Sequence, residues 1–452
     1  MNANRLIPLL SFIIFFSVMN GTMFNVAIPA IAEQFQLLPS EVSWVVAGYI
    51  VFFAIGSVTY GKLADIYPVK DLITTGLILF NVGSLLGFLS QWYGMLIVAR
   101  LIQATGAASI PALGMITATR YFPPESRGKV LGVIASTVAF ASGVGPIVGG
   151  FITGAMHWRY LFLLSLISLV AISFLRKQLP DEERNKQAHF DKLGAVYLSL
   201  GVTGILLYFS QLSWPYLFLG VVFICLFILH IRRAKDPFIN ASLFLNRSYR
   251  NGLITGFLTV GTVFGMMFLI PIMLQEVNGL ESAKIGLTMF PGAMSAAVFG
   301  TISGRLADRI GSVPIVKAGI GILMIGYLLL STFAGSHQWV MAAILVICYL
   351  GFSGIQSSLA NTVSHTLSRE QIGVGMGMYN LVFFMSGAFG STIVGKILDF
   401  SSAGSSWNPW AVSHQGAVYS NIFLLFLVII VISFAVFFVT FSVQRRIVSE
   451  AK

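Results

Sequence analysis

Arg100 is the plainest case of a charged residue inside a long apolar stretch of this sequence. It opens the segment Arg100-Leu101-Ile102-Gln103-Ala104-Thr105-Gly106, in which Arg100 and Gln103 fall on one face of a helix. A guanidinium is always charged, and among apolar segments it normally faces the protein interior or a water-filled cavity. The chemistry open to such a residue is electrostatic, because it binds and exchanges polar partners without forming covalent bonds.

Two nearly identical pentapeptides supply the next set of charged residues. They are Gly61-Lys62-Leu63-Ala64-Asp65 and Gly304-Arg305-Leu306-Ala307-Asp308, and Arg309 follows the second. Each closes one apolar run and is followed by another. An Asp beside a basic residue can pair with a neighbouring helix or cap its N-terminus, so a pair that forms in only one conformation would act as a latch. The candidate gating residues here are Gly61, Lys62, Asp65, Gly304, Arg305, Asp308 and Arg309.

The sequence shows no arrangement of residues typical of an enzyme. It has no phosphate-binding loop, no cluster with metal-ligand spacing and no nucleophile accompanied by a base. The two cysteines, Cys225 and Cys348, lie far apart in apolar runs and predict neither a disulfide nor a metal site. We therefore expect no enzymatic activity, no cofactor and no metal.

The elements that position these residues are predicted to be membrane-spanning helices. Of the 452 residues, 56% are hydrophobic and 10% are charged, a composition too apolar for a soluble domain. Apolar runs of about 20 residues, the length that spans a bilayer as a helix, can be placed fourteen times. They cover residues 6–28, 42–60, 72–90, 95–119, 130–154, 158–175, 193–210, 214–231, 251–273, 284–303, 314–334, 338–361, 374–397 and 419–441. The first run is too long for a signal-peptide core, so we expect it to be retained.

Lys and Arg residues gather in alternate segments between the apolar runs, which is the orientation signal of a membrane protein. This pattern explains the net charge of +11 without nucleic-acid binding. It predicts a multi-pass protein of the cell membrane with both termini in the cytoplasm. The two pentapeptides then lie on one membrane face.

The repeated pentapeptide predicts two related halves in one bilayer, an arrangement characteristic of secondary transporters. We expect an N-terminal six-helix bundle at 1–176, a linker with an extra two-helix hairpin at 177–250, and a C-terminal six-helix bundle at 251–452. This makes the fold class an all-α polytopic membrane protein.

The fifth apolar run contains Ala141-Ser142-Gly143-Val144-Gly145-Pro146-Ile147-Val148-Gly149-Gly150. Ala141, Gly145 and Gly149 form a ridge of small residues along one helix face, which permits close packing, and Pro146 bends the helix. Gly145, Pro146 and Gly149, together with Arg100, join the residues expected to take part in conformational change.

These segments together resemble the major facilitator superfamily. The second pentapeptide, continued by Arg309 and Gly311, is similar to the loop motif of that family, whereas Ile66, Tyr67 and Pro68 depart from it after the first. The Arg100 segment resembles the family's fourth-span motif, with Ala104 where Gly is usual. The fifth-run segment resembles the motif that marks antiporters. The resemblance implies two six-helix bundles enclosing a midplane cavity and alternating access.

The first span contains Asn20-Gly21-Thr22-Met23-Phe24-Asn25-Val26-Ala27-Ile28-Pro29, which is similar to the first-span motif of fourteen-span drug:proton antiporters. The Gram-positive tetracycline and multidrug exporters are the relatives it resembles most. That branch usually places an Asp or Glu around Asn20 or Gly21, and neither position is acidic here. Without a central acid, the cavity should suit neutral or anionic substrates, or a cation shielded by aromatic rings.

Proton coupling requires a group that titrates within reach of the cavity, and the sequence offers no acid or histidine in the middle of a span. The remaining candidates are Glu33, Glu41, Glu276 and Asp399 near outer span ends, besides the loop residues Asp65 and Asp308. We favour Glu276 and Asp399, because the spans of the second half otherwise offer no acid. Asp399 also fits a surface pair with Lys396, and Glu276 also fits a solvated helix end. The polar residues expected to line the substrate cavity are Asn25, Gln103, Gln356, Asn361, Tyr379 and Asn380.

We therefore expect a monomeric transporter in the plasma membrane that exports a small amphipathic molecule in exchange for protons. Its partners would be that small-molecule substrate, protons as the coupling ion and the lipid bilayer, with no nucleic acid. Two alternatives are a transporter of a physiological solute or ion and a transport-inactive membrane sensor.

Overall fold

The structure, a computed structural model, describes residues 3–182, 184, 191–234, 241–368, 371–401 and 405–450. These residues are almost entirely helical and include no β-strand. Fourteen of their helices are long and apolar enough to cross a membrane, which confirms the predicted number of spans.

The helices follow one another as α1 Ala3–Phe35, α2 Trp44–Leu63, α3 Val69–Phe88, α4 Tyr93–Tyr121, α5 Pro124–Ala155, α6 Trp158–Gln178, α7 Lys192–Gln211, α8 Trp214–Arg233, α9 Arg247–Glu276, α10 Ser282–Ile310, α11 Ser312–Thr332, α12 Gln338–Ser364, α13 Ile372–Phe400 and α14 Ala417–Glu450. A one-turn helix, Pro39–Val42, precedes α2, and a short 3₁₀ helix, Ala241–Leu245, precedes α9. Several helices extend beyond the predicted apolar runs, because a helix can continue past the bilayer core that the hydropathy pattern detects.

Helices α1 to α6 pack mainly against one another, and so do α9 to α14, while α7 and α8 pair as a hairpin. Close packing between α3 and α4 depends on small residues. A Cβ added at Gly83 would overlap the backbone nitrogen of Gln103, and one added at Gly106 would overlap that of Phe80. Within a bilayer, such close backbone approach is a main source of helix association.

The two groups of helices meet along two seams, one between α5 and α10 and the other between α2 and α13. On the first seam, a Cβ at Gly150 would lie 2.5 Å from the carbonyl oxygen of Ser282. On the second, a Cβ at Gly395 would lie 2.7 Å from the carbonyl oxygen of Pro39. All four positions lie toward one membrane face, which we call the closed face.

Toward the other end, the same four helices carry glycines with open space beside them. A Cβ added at Gly61, Gly132, Gly304 or Gly377 would meet no described atom within 4 Å. These glycines belong to α2, α5, α10 and α13, and they lie near the ends that carry the two pentapeptides. We call this end the open face, because each of these four glycines has open space beside it.

Candidate functional site

Arg100 lies at the centre of a buried polar network on α4, with only 1% of its surface exposed. Its Nη1 donates to Asn20 Oδ1 at 2.9 Å and to Gln103 Oε1 at 2.7 Å. Its Nε donates to the carbonyl oxygen of Val45 at 3.2 Å. The guanidinium therefore connects α4 to α1 through Asn20 and to α2 through Val45, and all three of its acceptors are neutral.

Two aromatic rings cover the guanidinium of Arg100. Its Cζ lies 4.2 Å from the centre of the Phe24 ring and 4.0 Å from the centre of the Tyr49 ring. The electron-rich faces of the rings attract the cation, and this attraction strengthens when water is excluded. The rings thus compensate in part for the missing carboxylate.

The network continues to α3 and α6 through side chains. Gln103 Nε2 donates to Ser84 Oγ at 2.8 Å, and Asn20 Nδ2 donates to Ser165 Oγ at 2.7 Å. Gln103 is 0% exposed, so the structure places this predicted cavity residue inside the network, away from any open surface. The sequence had singled out Asn20 only as a missing acid, and its role as an acceptor for Arg100 was not predicted. The sequence signal that could have indicated this role is a single amide side chain in the middle of an apolar run.

The network holds a positive charge without a carboxylate partner among the described residues. Arg100 Nη2, Tyr49 Oη and Asn25 Oδ1 are buried atoms that have no hydrogen-bond partner in the described part of the chain. Buried polar groups of this kind are normally satisfied, so unpaired ones mark positions that can accept a further partner. Arg100 and Tyr49 offer donors, and Asn25 offers an acceptor.

Helix α5 is packed on two sides through its small residues. A Cβ at Gly145 would overlap Thr22 Oγ1, and one at Gly149 would overlap the carbonyl oxygen of Met23, both on α1. On the α10 side, a Cβ at Gly286 would overlap the carbonyl oxygen of Pro146. The segment around Pro146 therefore joins α1 to the other group of helices.

A line of aromatic rings crosses the second seam. Phe53 of α2 meets Phe384 of α13 with ring centres 5.1 Å apart. Tyr49 stacks on Phe53 at 6.2 Å on one side, and Phe383 lies 5.4 Å from Phe384 on the other. The line reaches Tyr379, whose ring is 6.3 Å from Phe383. It connects the Arg100 network to the second group of helices, and the sequence did not predict it.

The remaining predicted cavity residues divide between the two groups of helices. Asn25 is buried on α1. On α12 and α13, Gln356, Asn361 and Asn380 are exposed, although Asn361 Nδ2 also donates to Ser312 Oγ at 2.7 Å. Tyr379 is 4% exposed, and its hydroxyl lacks a partner among the described residues. The predicted cavity residues on α12 and α13 therefore belong to the second group of helices. Asn25, on α1, belongs to the first group.

The two proton-coupling candidates occupy different environments near the closed face. Glu276 is exposed, and the Tyr419 hydroxyl donates to its carboxylate within the second group of helices. The Asp399 side chain is only 5% exposed, and its Oδ1 accepts from the backbone amide of Ser40 at 3.0 Å, across the seam. Its Oδ2 accepts from Lys396 Nζ at 3.3 Å. Asp399 therefore contacts both groups of helices, and Glu276 contacts one.

The first pentapeptide is held by residues of its own group of helices. Asp65 Oδ1 lies 3.7 Å from Arg120 Nη2, and Glu182 Oε2 accepts from the amide of Val69 at 3.1 Å. Lys70 Nζ lies 2.6 Å from Asp181 Oδ1, and this ion pair lowers the pKa of the Asp181 carboxyl. The segment that follows α6 therefore holds the turn after the first pentapeptide. In this turn, Ile66, Tyr67 and Pro68 replace the residues that are usual in the loop motif.

The structure describes fewer contacts for the second pentapeptide than for the first. Arg305 and Arg309 are exposed, Gly304 is half-buried, and the side chain of Asp308 lies outside the described part of the structure. At the first, Gly61 and Lys62 are half-buried.

The described helices of membrane-spanning length, in two groups that contact each other along two seams, define a polytopic membrane protein. Residues 10–391 match the Major Facilitator Superfamily. The chain is 28% identical to the riboflavin transporter RibZ of Clostridioides difficile over 403 residues, covering 86% of this chain and 87% of that protein. It is also 28% identical to the multidrug transporter protein MdtP of Bacillus subtilis over 401 residues, covering 86% of this chain and 74% of that protein.

Solved structures share the fold. A bacterial homologue of the human lysosomal transporter Spinster, inward-facing and unoccupied, superposes with a TM-score of 0.67 at 14% identity, covering 97% of both chains. The human organic anion transporter MFSD10 (TETRAN) superposes with a TM-score of 0.61 at 16% identity, covering 95% of this chain and 100% of that one. The protein belongs to the Major Facilitator Superfamily. The family members named above are transporters of small molecules and not enzymes. The resemblance seen in the sequence is confirmed.

Proposed function

We propose that this transporter exports small amphipathic compounds across the plasma membrane in exchange for protons, by alternating access. The geometry of α5 is the observation that carries the proposal. Its Gly145 and Gly149 hold α1 at backbone distance, while Pro146 contacts Gly286 on the opposite group of helices. The segment with the antiporter-like sequence therefore lies where the two groups must move against each other.

We further propose that the open face is cytoplasmic, so that the structure represents an inward-facing state. Basic residues concentrate on the segments at this face, as expected for cytoplasmic loops. The two six-helix bundles would be residues 1–176 and 251–452, with 177–250 forming the linker and hairpin, in a monomer. Fusing alkaline phosphatase to the C-terminus should give an inactive reporter, and fusing it at residue 412 should give an active one. An active C-terminal fusion together with an inactive fusion at residue 412 would show that the protein has the opposite orientation.

The substrate class follows from the Arg100 network. A buried cation with neutral partners favours a neutral or anionic compound over a cation, unless aromatic rings shield the charge. The aromatic line from Tyr49 to Tyr379 offers flat apolar surface on which a planar substrate can stack. Asn25, Gln356, Asn361, Tyr379 and Asn380 remain the proposed cavity residues, and Gln103 acts through Arg100.

For gating, we propose that the two pentapeptide loops alternate between contacts within one bundle and contacts across the open face. Asp65 pairs with Arg120 of its own bundle in this state. On closure of the open face, Gly61, Lys62 and Asp65 would face the other bundle, as would Gly304, Arg305, Asp308 and Arg309. Glu276 and Asp399 stand as the candidates for proton coupling, because the chain has no acid in the middle of a span.

The test is substrate accumulation in everted membrane vesicles that contain the protein, with a panel of labelled compounds that includes tetracycline. We expect accumulation of at least one planar neutral or anionic compound, abolished by a protonophore and by Arg100→Ala. Ser17→Ala on α1 is a suitable control, because the Ser17 hydroxyl donates to Ala107 outside the Arg100 network. Equal transport without a proton gradient, with the compound only equilibrating across the membrane, would indicate a facilitator.

A second candidate function is transport of a physiological solute, because the riboflavin transporter RibZ is as similar in sequence as the multidrug transporter MdtP. The absence of an acid at Asn20 also separates this chain from the drug:proton antiporter pattern. Uptake of labelled riboflavin by intact cells distinguishes the two functions. Inward transport of riboflavin without export of any panel compound would favour this second function.

A further inference from the structure

The carbonyl and amide groups of Ser40 form a junction of three parts of the molecule. Asp399 of α13 accepts from the Ser40 amide at 3.0 Å, and Ser210 of α7 donates its hydroxyl to the Ser40 carbonyl at 3.2 Å. Ser43 also donates to this carbonyl, at 2.7 Å. Ser40 is 2% exposed and Ser210 is 3% exposed. We call Ser40, Ser210 and Asp399 the seam clasp.

Asp399 is placed where its own helix does not favour a carboxylate. It lies in the last turn of α13, beside the negative end of the helix dipole. Two donors offset this penalty, the Lys396 ammonium at 3.3 Å and the Ser40 amide on the opposite bundle. Because the carboxylate is almost completely buried, loss of the Ser40 donor would leave one of its oxygens poorly satisfied.

Ser210 brings the extra hairpin into contact with both bundles. Helix α7 packs against α2 and α13 on either side of the second seam. Phe209, the residue before Ser210, packs its ring 6.0 Å from that of Phe389 on α13. The hydroxyl of Ser210 therefore bonds to the N-terminal bundle, and the neighbouring ring contacts the C-terminal bundle.

Gly395 allows the bundles to approach closely enough for the clasp to form. A Cβ at this position would lie 3.0 Å from the Cα of Ser40 and 2.7 Å from the Pro39 carbonyl oxygen. The three hydrogen-bonding groups thus stand at a backbone contact between the bundles. Any motion that parts the bundles at the closed face must break this contact.

We propose that Asp399 and Ser210 are positioning residues of the gate at the closed face, and that the extra hairpin is a third member of that gate. The carboxylate and the hydroxyl hold the two bundles together while the open face is parted, and both bonds break when the closed face opens. The proposal depends on the alternating-access part of the proposed function and is independent of the substrate and of proton coupling.

The test measures the distance across the closed face in the full-length protein, reconstituted in lipid nanodiscs. Spin labels are attached at Gln91→Cys, between α3 and α4, and at Val412→Cys, between α13 and α14, in a Cys225→Ser background. Gln91 and Val412 are exposed at this face. Pulsed dipolar spectroscopy then gives the populations of short (closed) and long (open) distances without any substrate.

We expect Ser210→Ala to raise the ratio of open to closed molecules roughly fivefold, the effect of one hydrogen bond. Asp399→Ala should raise it further, because bonds to a charged group are stronger. Asp399→Asn keeps an acceptor oxygen and should give an intermediate ratio. Ser210→Thr keeps the hydroxyl and should restore the wild-type ratio.

Two matched controls remove similar groups that do not cross the seam. Ser199 on α7 donates to Ala195 of its own helix, and Asp71 on α3 accepts from Arg176 on α6 of its own group of helices. Ser199→Ala and Asp71→Ala should leave the distance distribution unchanged. Equal shifts in control and clasp variants, or no shift in Ser210→Ala and Asp399→Ala, would overturn the proposal. Failure to find a transported substrate would affect only the proposed function.

Discussion

At the scale of single residues, Arg100 owes its buried position to neutral partners. Asn20, Gln103 and Val45 provide acceptors, and Phe24 and Tyr49 cover the faces of the guanidinium. A buried cation is strongly destabilising when its partners are removed, because its lost hydration is not replaced. Asn20 is therefore the residue at which a single exchange should show most clearly how Arg100 is held.

We predict that Asn20→Leu lowers the unfolding free energy by about 1–3 kcal/mol, because it removes an acceptor of Arg100 and leaves the Ser165 hydroxyl with one partner fewer. Asn20→Asp keeps the acceptor and adds a counter-charge, so its Tm should at least equal that of the wild type. Thermal unfolding of the detergent-purified protein measures both. A Tm of Asn20→Leu equal to that of Asn20→Asp would contradict the assigned role.

Asp181 gives a prediction about pH. Its pKa in the folded protein is held below its ordinary value by Lys70, so any stability that it contributes is present above the unfolded pKa and is lost as pH falls through the lower, folded value. The carboxylate is then ionised throughout about pH 5.5 to 8. We expect Asp181→Asn to leave the pH profile of transport unchanged over that range. A shifted profile would show that this exposed pair takes part in proton coupling.

At the scale of elements, α5 packs against α1 in its own group of helices and against α10 in the other group. Gly149 gives the strictest test of the packing between α5 and α1. A Cβ added there would meet the backbone of Met23, which cannot rotate away as a side chain could. Gly132 lies on the same helix, and a Cβ added there would have no described atom within 4 Å. The two glycines therefore form a matched pair, one at a close contact and one in open space.

We predict that Gly149→Val destabilises the protein by about 1–3 kcal/mol and abolishes transport, because the added volume forces α1 and α5 apart. Gly132→Val should retain transport and stability, because the added side chain there meets no described atom within 4 Å. Thermal unfolding and vesicle uptake of the two variants provide the comparison. Equal behaviour of the two variants would show that helix propensity, and not close packing, governs this segment.

The elements were largely predictable from the sequence, and their contacts were not. Fourteen apolar runs, the two pentapeptides and the alternating basic segments suffice to place the spans, because hydropathy and charge act locally along the chain. The bond between Arg100 and Asn20 joins residues on different helices, and Asp399 meets Ser40 from the other bundle. Such pairs depend on helix packing and rotation, which hydropathy does not encode. The contacts of Gln103 with Arg100 and Ser84 could not be predicted from the sequence for the same reason.

At the scale of the whole molecule, the proposed alternating access makes the structure one of at least two states. Contacts among Ser40, Ser210 and Asp399 hold one face, while Gly61 and Gly304 face open space at the other. A transporter that alternates must form the reverse arrangement with similar free energy, since a large difference would trap it in one state. The pentapeptide loops, the aromatic line and the clasp are the features whose contacts should differ between the two states.

The central claim is proton-coupled export, and the most direct test follows proton movement in proteoliposomes of the purified protein that carry a pH-sensitive dye inside. We predict that adding a transported compound changes the internal pH in the wild type and fails to do so in Arg100→Ala and Asp65→Asn. The panel is the one used for vesicle uptake, with tetracycline and riboflavin included. Compound uptake without any pH response would contradict proton exchange and leave a facilitator of the same fold.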